Sequence, residues 1–182
     1  MAFKIKKMRK LFLIAFILFT LMFYPISAYA SSSYVLPYPS TMPGSLFYRP
    51  RLLLEVLQKY WYFGNFGQFK YNLKESDKYL VEAKTLYEYN QFLHASTISL
   101  KKSDEYFEGT LSFLIKAQNE GKDILQNRKI LAEASTKHIE VLKKLLNELP
   151  QEFEWKAEKE KPIFIHISKE IEKSISIREK YL

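Results

Sequence analysis

Residues 66–117 read FGQFKYNLKESDKYLVEAKTLYEYNQFLHASTISLKKSDEYFEGTLSFLIKA. Phe66, Leu73, Leu80 and Tyr87 recur every seven residues, interleaved with Phe69, Ser76 and Ala83. The spacing resumes beyond Asn90 as Leu93, Leu100, Phe107 and Leu114, with Ser96, Ser103, Thr110 and Ala117 in the interleaved places. Apolar residues at such three- and four-residue steps form one stripe of a helix. The pattern predicts one long helix to about Tyr89 and a second from about Gln91 to Asn119, with Asn90 as the turn residue. Small residues on the second helix let a neighbour come close, with Tyr and Phe side chains opposite.

Towards the C-terminus, Gly121 reads as a helix stop and Asp123 as the next N-cap. A further helix is expected over about 124–149, with Ile124, Leu131, His138, Leu142, Leu145 and Leu149 on one side. Pro150 ends it. The charged stretch 151–161 reads as a short helix, and Pro162 interrupts it. Ile163, Ile167, Ile171 and Ile175 mark a last helix. Towards the N-terminus, Asn65 and Gln68 have the spacing of a capping box. Gly64 closes a first helix expected over 51–63, with Pro50 near its first turn. Short links between long helices imply antiparallel neighbours. The fold class expected is therefore all-α, an antiparallel bundle of four to five helices over residues 51–182.

The first 50 residues have a different character. Lys4, Lys6, Lys7, Arg9 and Lys10 precede an apolar run from Leu11 to Tyr24, and Ser27-Ala28-Tyr29-Ala30 follows Pro25. A basic start, a short apolar core and small residues at a cleavage point are the pattern of a secretory signal over residues 1–30. An uncleaved anchor over residues 11–26 is the alternative. Either way the rest of the chain is expected outside the cytoplasm, secreted or tethered. Four of the seven prolines, Pro37, Pro39, Pro43 and Pro50, lie in residues 31–50. That stretch is an extended or turning lead into the bundle.

The net charge of +8 suggests nucleic acid until its source is located. The five basic residues of the signal stretch contribute most of it, and without them 23 basic residues face 20 acidic ones. So small an excess gives little reason to expect nucleic-acid binding. Cysteine is absent. That excludes a lipoprotein anchor, thiol catalysis and Cys-based zinc sites, and leaves burial to hold the fold.

Several pieces occur in order from Val35 to Phe107. Leu36-Pro37, Pro43-Gly44 and Leu46-Phe47-Tyr48 follow the exported N-terminus. A short apolar helix comes next, then Lys70 with Leu73, Asp77, Tyr79-Leu80, Glu82-Ala83 and Leu86. Ala95, Lys102-Ser103 and Tyr106-Phe107 complete the set. Together they resemble a bacterial exported family catalogued as domain of unknown function 5667. Arg49-Pro50 stands where its members often carry a lysine. The resemblance covers under half the chain and implies an extracytoplasmic helical domain. It brings no reaction and no catalytic residues.

The candidates for chemistry are few. His94, His138 and His166 lack the neighbours at i+3 or i+4 that a metal site on a helix needs, apart from one His166–Glu170 pair. His138 lies on an apolar stripe and reads as a hydrogen-bonded core histidine. A merely core position would tolerate leucine there. Asp104, Glu105 and Glu108, with Lys101 and Lys102 nearby, read as a solvated face. Ser96, Ser99 and Ser103 lack the strand-turn-helix elbow of a serine nucleophile. No phosphate-loop motif is present. No enzyme activity, cofactor or metal is therefore expected.

The most unusual local feature is the first helix. Its polar stripe is only Arg51, Glu55, Gln58 and Lys59, and the run Tyr60-Trp61-Tyr62-Phe63 follows. A helix so apolar is normally buried on most sides. One reading has this run close an end of the bundle, under Phe66, Phe69 and the proline-rich lead. The other makes Leu54, Tyr60, Trp61 and Phe63 an interaction surface. On the second reading the partner is an unknown protein, a membrane surface or a second copy. The function expected is an extracytoplasmic, non-enzymatic binding or scaffolding protein. The alternatives are a bundle with an interior small-ligand or metal site, and a membrane-tethered stalk.

Overall fold

The computed structural model describes residues 34–89, 93–156 and 161–182. The signal stretch, Ser31 and the Asn90 turn lie outside them. Tyr34–Leu182 forms one compact unit. Its described residues hold five helices, α1 (Tyr48–Lys59), α2 (Gly64–Glu88), α3 (Leu93–Asn119), α4 (Leu125–Glu148) and α5 (Ile167–Glu179). Two short strands, β1 (Phe153–Trp155) and β2 (Ile163–Ile165), lie between α4 and α5. The all-α bundle expected from the periodicity is the fold.

Helices α2 and α3 are antiparallel, and their cross-links show it. Asn65 meets Glu120, Ser76 meets Ser103, and Tyr87 meets Thr97. The small residues Ser96, Ser103, Thr110 and Ala117 of α3 are all buried. The turn into α4 carries the expected Gly121 stop, while the N-cap position is Ile124 and Asp123 bonds from one residue before it. Gly121 has a φ of +77°, its N–H reaches Gln118 O at 2.9 Å, and the Lys122 N–H reaches Ala117 O at 3.1 Å. That is the double bond of a left-handed helix stop. Asp123 Oδ1 accepts the Leu125 N–H at 2.9 Å.

Two expectations at the C-terminal end are corrected. The described part of the charged stretch, residues 151–156 and 161, is not helical, and the last helix begins at Ile167 rather than Ile163; residues 157–160 lie outside the described residues. Phe153 pairs with Ile165, Glu154 with Phe164 and Trp155 with Ile163 in an antiparallel hairpin. The cause is local: Phe153-Glu154-Trp155 alternates apolar and polar, Ile163-Phe164-Ile165 is a short β-branched and aromatic run, and Pro150 and Pro162 ahead of them disfavour helix. Phe153 and Trp155 pack against the core, and Trp155 stacks on His94 with ring centres 4.5 Å apart. Ile167, Ile171 and Ile175 are buried on α5 as the periodicity requires.

The capping box does not form either. Gln68 turns its amide back instead, donating to the carbonyls of Lys59 at 3.0 Å and Tyr62 at 2.6 Å. These bonds stop α1 at Lys59, four residues short of the expected end. At the other end α1 begins at Tyr48, before Pro50. Proline at the third helical position is tolerated because the first-turn N–H groups have no helical acceptor. Gly67 lets the turn after α1 sit against α2. A Cβ there would lie 2.8 Å from the Tyr62 carbonyl carbon.

The core has two apolar halves. One gathers Leu80, Tyr87, Leu100, Leu142, Ile167 and Ile171. The other gathers Phe69, Leu73, Phe107, Leu114, Leu131 and Ile177. On each of α2 to α5 a buried polar band separates them: Ser76 and Asp77, Ser103 and Asp104, Ser135 and His138, Ser174 and Arg178.

Candidate functional site

Helix α1 lies on the bundle with its polar side inward. Glu55 is its buried residue, 5% exposed. Leu53, Leu54, Val56 and Leu57 all face solvent. At 100° per residue the exposed apolar positions Phe47, Leu53, Leu54, Val56, Leu57, Tyr60 and Trp61 cover about half the circumference. The expectation that so apolar a helix is buried on most sides is therefore overturned. The physical reason lies beneath it, in acceptors and donors on α2 that an apolar face could not satisfy.

Arg51 is the clamp. Its Nη1 donates to Ser40 Oγ at 2.9 Å and Thr41 O at 2.5 Å, and its Nη2 to Glu82 Oε2 at 2.5 Å. Its Nε lies 3.1 Å from Glu55 Oε1. Three parts of the chain are thereby fastened together: the lead, α1 and α2. Glu55 pairs with Lys78 and accepts from Tyr79 Oη at 2.7 Å. Tyr71 Oη donates to the Glu55 carbonyl at 3.0 Å. Glu82 also accepts from Ser99 Oγ at 2.7 Å and Tyr48 Oη at 3.2 Å. Burial and the Glu82 charge push the Tyr48 phenol up to about 12, so it stays a donor. Glu75 is the misfit. It is fully buried, its Oε2 lies 3.2 Å from Lys78, and its Oε1 has no hydrogen-bond partner. Burial raises its pKa and Lys78 only partly draws it back.

Leu54 is 53% exposed, Tyr60 70%, Trp61 56% and Phe63 83%. The structure thus leaves all four nominated residues at the surface, on α1 and the turn after it. The reading in which this run closes an end of the bundle is not the arrangement found. Beside α1 opens a cleft of about 640 Å³, walled by Glu55, Tyr71, Tyr79, Lys102, Glu105 and Tyr106. Tyr79 and Tyr106 stack with centres 5.8 Å apart, and Lys102 Nζ sits 5.0 Å over the Tyr79 ring.

The histidines are kept apart. His94 stacks on Trp155, and His166 Nδ1 lies 2.7 Å from Glu152 on the surface. His138 is fully buried in the polar band, as expected of a core histidine, but its surroundings are far more charged than the sequence suggests. Its Nε2 meets Asp77 Oδ1 at 2.7 Å and its Nδ1 accepts from Arg178 Nε at 3.0 Å. Arg178 continues to Asp104 Oδ1 at 2.6 Å and Ser103 Oγ at 2.8 Å. Ser174 Oγ donates to Asp104 Oδ2 at 2.6 Å, and Tyr34 Oη to Asp77 Oδ2 at 2.5 Å. Asp104 therefore leaves the solvated face expected for it, while Glu105 and Glu108 stay exposed. Sequence reading missed Asp77, Asp104 and Arg178 as a unit because they are distant in the chain. The one available signal was spacing: Ser174 and Arg178 extend the buried stripe of α5.

Ser96, Ser99 and Ser103 are spent on structural bonds to Leu93 O, Glu82 and Ser76 O. Among the described residues no three His, Asp or Glu side chains converge as metal ligands. No described helix is long and apolar enough to cross a membrane. Comparison with protein-family models, curated proteins and solved structures finds no match to this chain.

Proposed function

We propose that this chain is an extracytoplasmic, non-enzymatic binding or scaffolding protein, and that the outward face of α1 is its contact surface. One observation carries the reading: a helix whose polar side is fixed to the bundle and whose apolar side is presented to solvent. Exposed apolar patches beyond a few hundred Å² mark sites of interaction. Two adjacent aromatic residues with polar tips, Tyr60 and Trp61, suit such a site. The extracytoplasmic setting rests on the signal pattern and on the resemblance to domain of unknown function 5667.

The test is a photo-crosslinking amino acid placed at Trp61 in intact cells, with the same probe at Leu125, 73% exposed on α4, as the control. The reading requires adducts from position 61 and few from position 125. Equal yields would sink it. A second reading, a small-ligand site, has the cleft beside α1 in its favour. Its stacked tyrosines and Lys102 suit a flat, polar molecule. The cleft shares Val56 and Tyr60 with the outward arc of α1, so Tyr106→Ala, on its α3 wall, should abolish small-ligand binding on this reading and leave crosslinking from position 61 intact on the first.

A further inference from the structure

We infer that the occupant of the α1 face is an anionic lipid bilayer, met by α1 lying flat in its interface. This rests on the reading of α1 as the contact surface and names what it contacts. Charge decides between the occupants. From Tyr34 to Tyr87 the chain has four acidic residues, Glu55, Glu75, Asp77 and Glu82, and all four are buried. The exposed charges of the same segment are Arg49, Lys59, Lys70 and Lys74, all basic. Lys74 Nζ lies 3.0 Å from Gln58 Oε1, so at least that lysine stands beside α1 itself. Across the cleft Lys102 accompanies Glu105, so that wall adds no net charge. An apolar arc edged by Arg49, Lys59 and Lys74, with Glu105 offset by Lys102 across the cleft, is the pattern of a helix seated at the boundary of headgroups and acyl chains. Tyr and Trp at one end of the arc favour the same depth. Basic side chains beside such a face are drawn to anionic headgroups.

A second copy fits less well. Pairing α1 with its symmetry mate would bring Arg49 and Lys59 of one chain towards those of the other, and like charges across an interface oppose association. A soluble polyanion would satisfy the lysines but leave the apolar arc in water. The inward polar side of α1 also removes the usual requirement that an interfacial helix fold on binding, because Arg51 and Glu55 already hold it in place. The surface is therefore ready-made.

The experiment uses residues 31–182, which contain the whole compact unit, in a Trp155→Phe background so that Trp61 is the reporting indole. Vesicles of phosphatidylglycerol and phosphatidylcholine in equal parts are compared with phosphatidylcholine alone, by co-sedimentation and Trp61 emission at low salt. Binding to the anionic vesicles should be at least tenfold tighter, with a blue shift of Trp61, and should weaken as salt rises. Leu54→Ser should abolish the binding, and Arg49→Glu with Lys59→Glu should abolish the preference for anionic lipid. Both changes lie on the surface, and unchanged melting temperatures would verify folding. Absence of vesicle binding overturns the lipid inference. So does binding that Leu54→Ser leaves intact, or equal binding to dextran sulfate without lipid. If crosslinks from position 61 then carry a protein or a second copy, the contact-surface reading survives with another occupant. If position 61 yields none, both fall.

Discussion

His138 holds one proton and has no room for a second. Arg178 Nε–H occupies its Nδ1 lone pair, so the ring proton sits on Nε2 and is donated to Asp77. Burial, with the Arg178 charge beside it, lowers the His138 pKa below the usual 6.5, against the pull of Asp77. The unfolded chain takes up this proton more readily than the folded one. Stability from His138 is thus complete above pH 6.5 and lost as pH falls below it. Urea unfolding between pH 7.5 and 5 should show that decline, and His138→Leu should flatten it. The same leucine, tolerable at a merely apolar core position, here strips Asp77 and Arg178 of a partner. It should cost about 3 kcal/mol or more, as removing one member of a buried charged set does. An unchanged melting temperature for His138→Leu would contradict the polar band. Glu75 has the opposite sign. Its raised pKa means the folded chain holds that proton more tightly, so its contribution is present below about pH 4.5 and lost as pH rises. Glu75→Gln should therefore melt higher than the parent chain at pH 7, and the gap should close towards pH 4.

At the scale of the element, α1 inverts the usual rule. Its arc is apolar over most of its surface, and apolarity alone predicts burial. What seats it is the polar stripe, because Arg51 and Glu55 supply partners to Glu82, Lys78, Tyr71 and Tyr79 on α2 that an apolar face could not. A buried acceptor or charge without a partner costs more than an apolar side chain left in water. Two variants separate these roles. Leu54→Ser with Trp61→Ser should leave the melting temperature within a few degrees, since surface changes alter stability by about 0.5 kcal/mol each, and should raise solubility. A loss of ~3 kcal/mol, the size of a core deletion, would place these residues inside instead. Glu55→Leu, which makes the helix more apolar still, should destabilise the fold, because Lys78, Arg51 and Tyr79 lose their common acceptor. Limited proteolysis should then cut first between residues 40 and 63.

At the scale of the molecule, the start of the compact unit is tied to its centre. Tyr34, four residues after the expected cleavage point, donates to Asp77 and packs edge-on to His138 with ring centres 6.4 Å apart. N-terminal sequencing of the exported form should begin at Ser31, and an intact Met1 or Ala2 would mark an anchor instead. Tyr34→Phe should lower stability by about 1 kcal/mol or more, since Asp77 Oδ2 loses its donor. Equal stability of the two chains would mean the lead is not part of the fold.

How far the sequence reached follows from the range of the forces involved. Periodicity is local, so the stripes Phe66 to Tyr87 and Leu93 to Leu114 were enough to read the α2–α3 pair and the burial of Ser96, Ser103, Thr110 and Ala117. Gly121 was legible for the same reason, and Asp123 to within one residue, because a turn is a property of a few consecutive residues. The strand pair is hard to read in sequence, because three residues of alternation, Phe153-Glu154-Trp155, are a weak signal inside a charged stretch. The polar band was illegible as a unit, because Asp77, Asp104, His138 and Arg178 sit on four helices and acquire partners only when those helices pack. The orientation of α1 was undecided for the same reason. The sequence by itself determined that α1 is a helix with a narrow polar stripe and a broad apolar arc. Tertiary structure alone decided which of the two faces inward, because the buried charges of α2 had to be paired before apolar surface could be hidden.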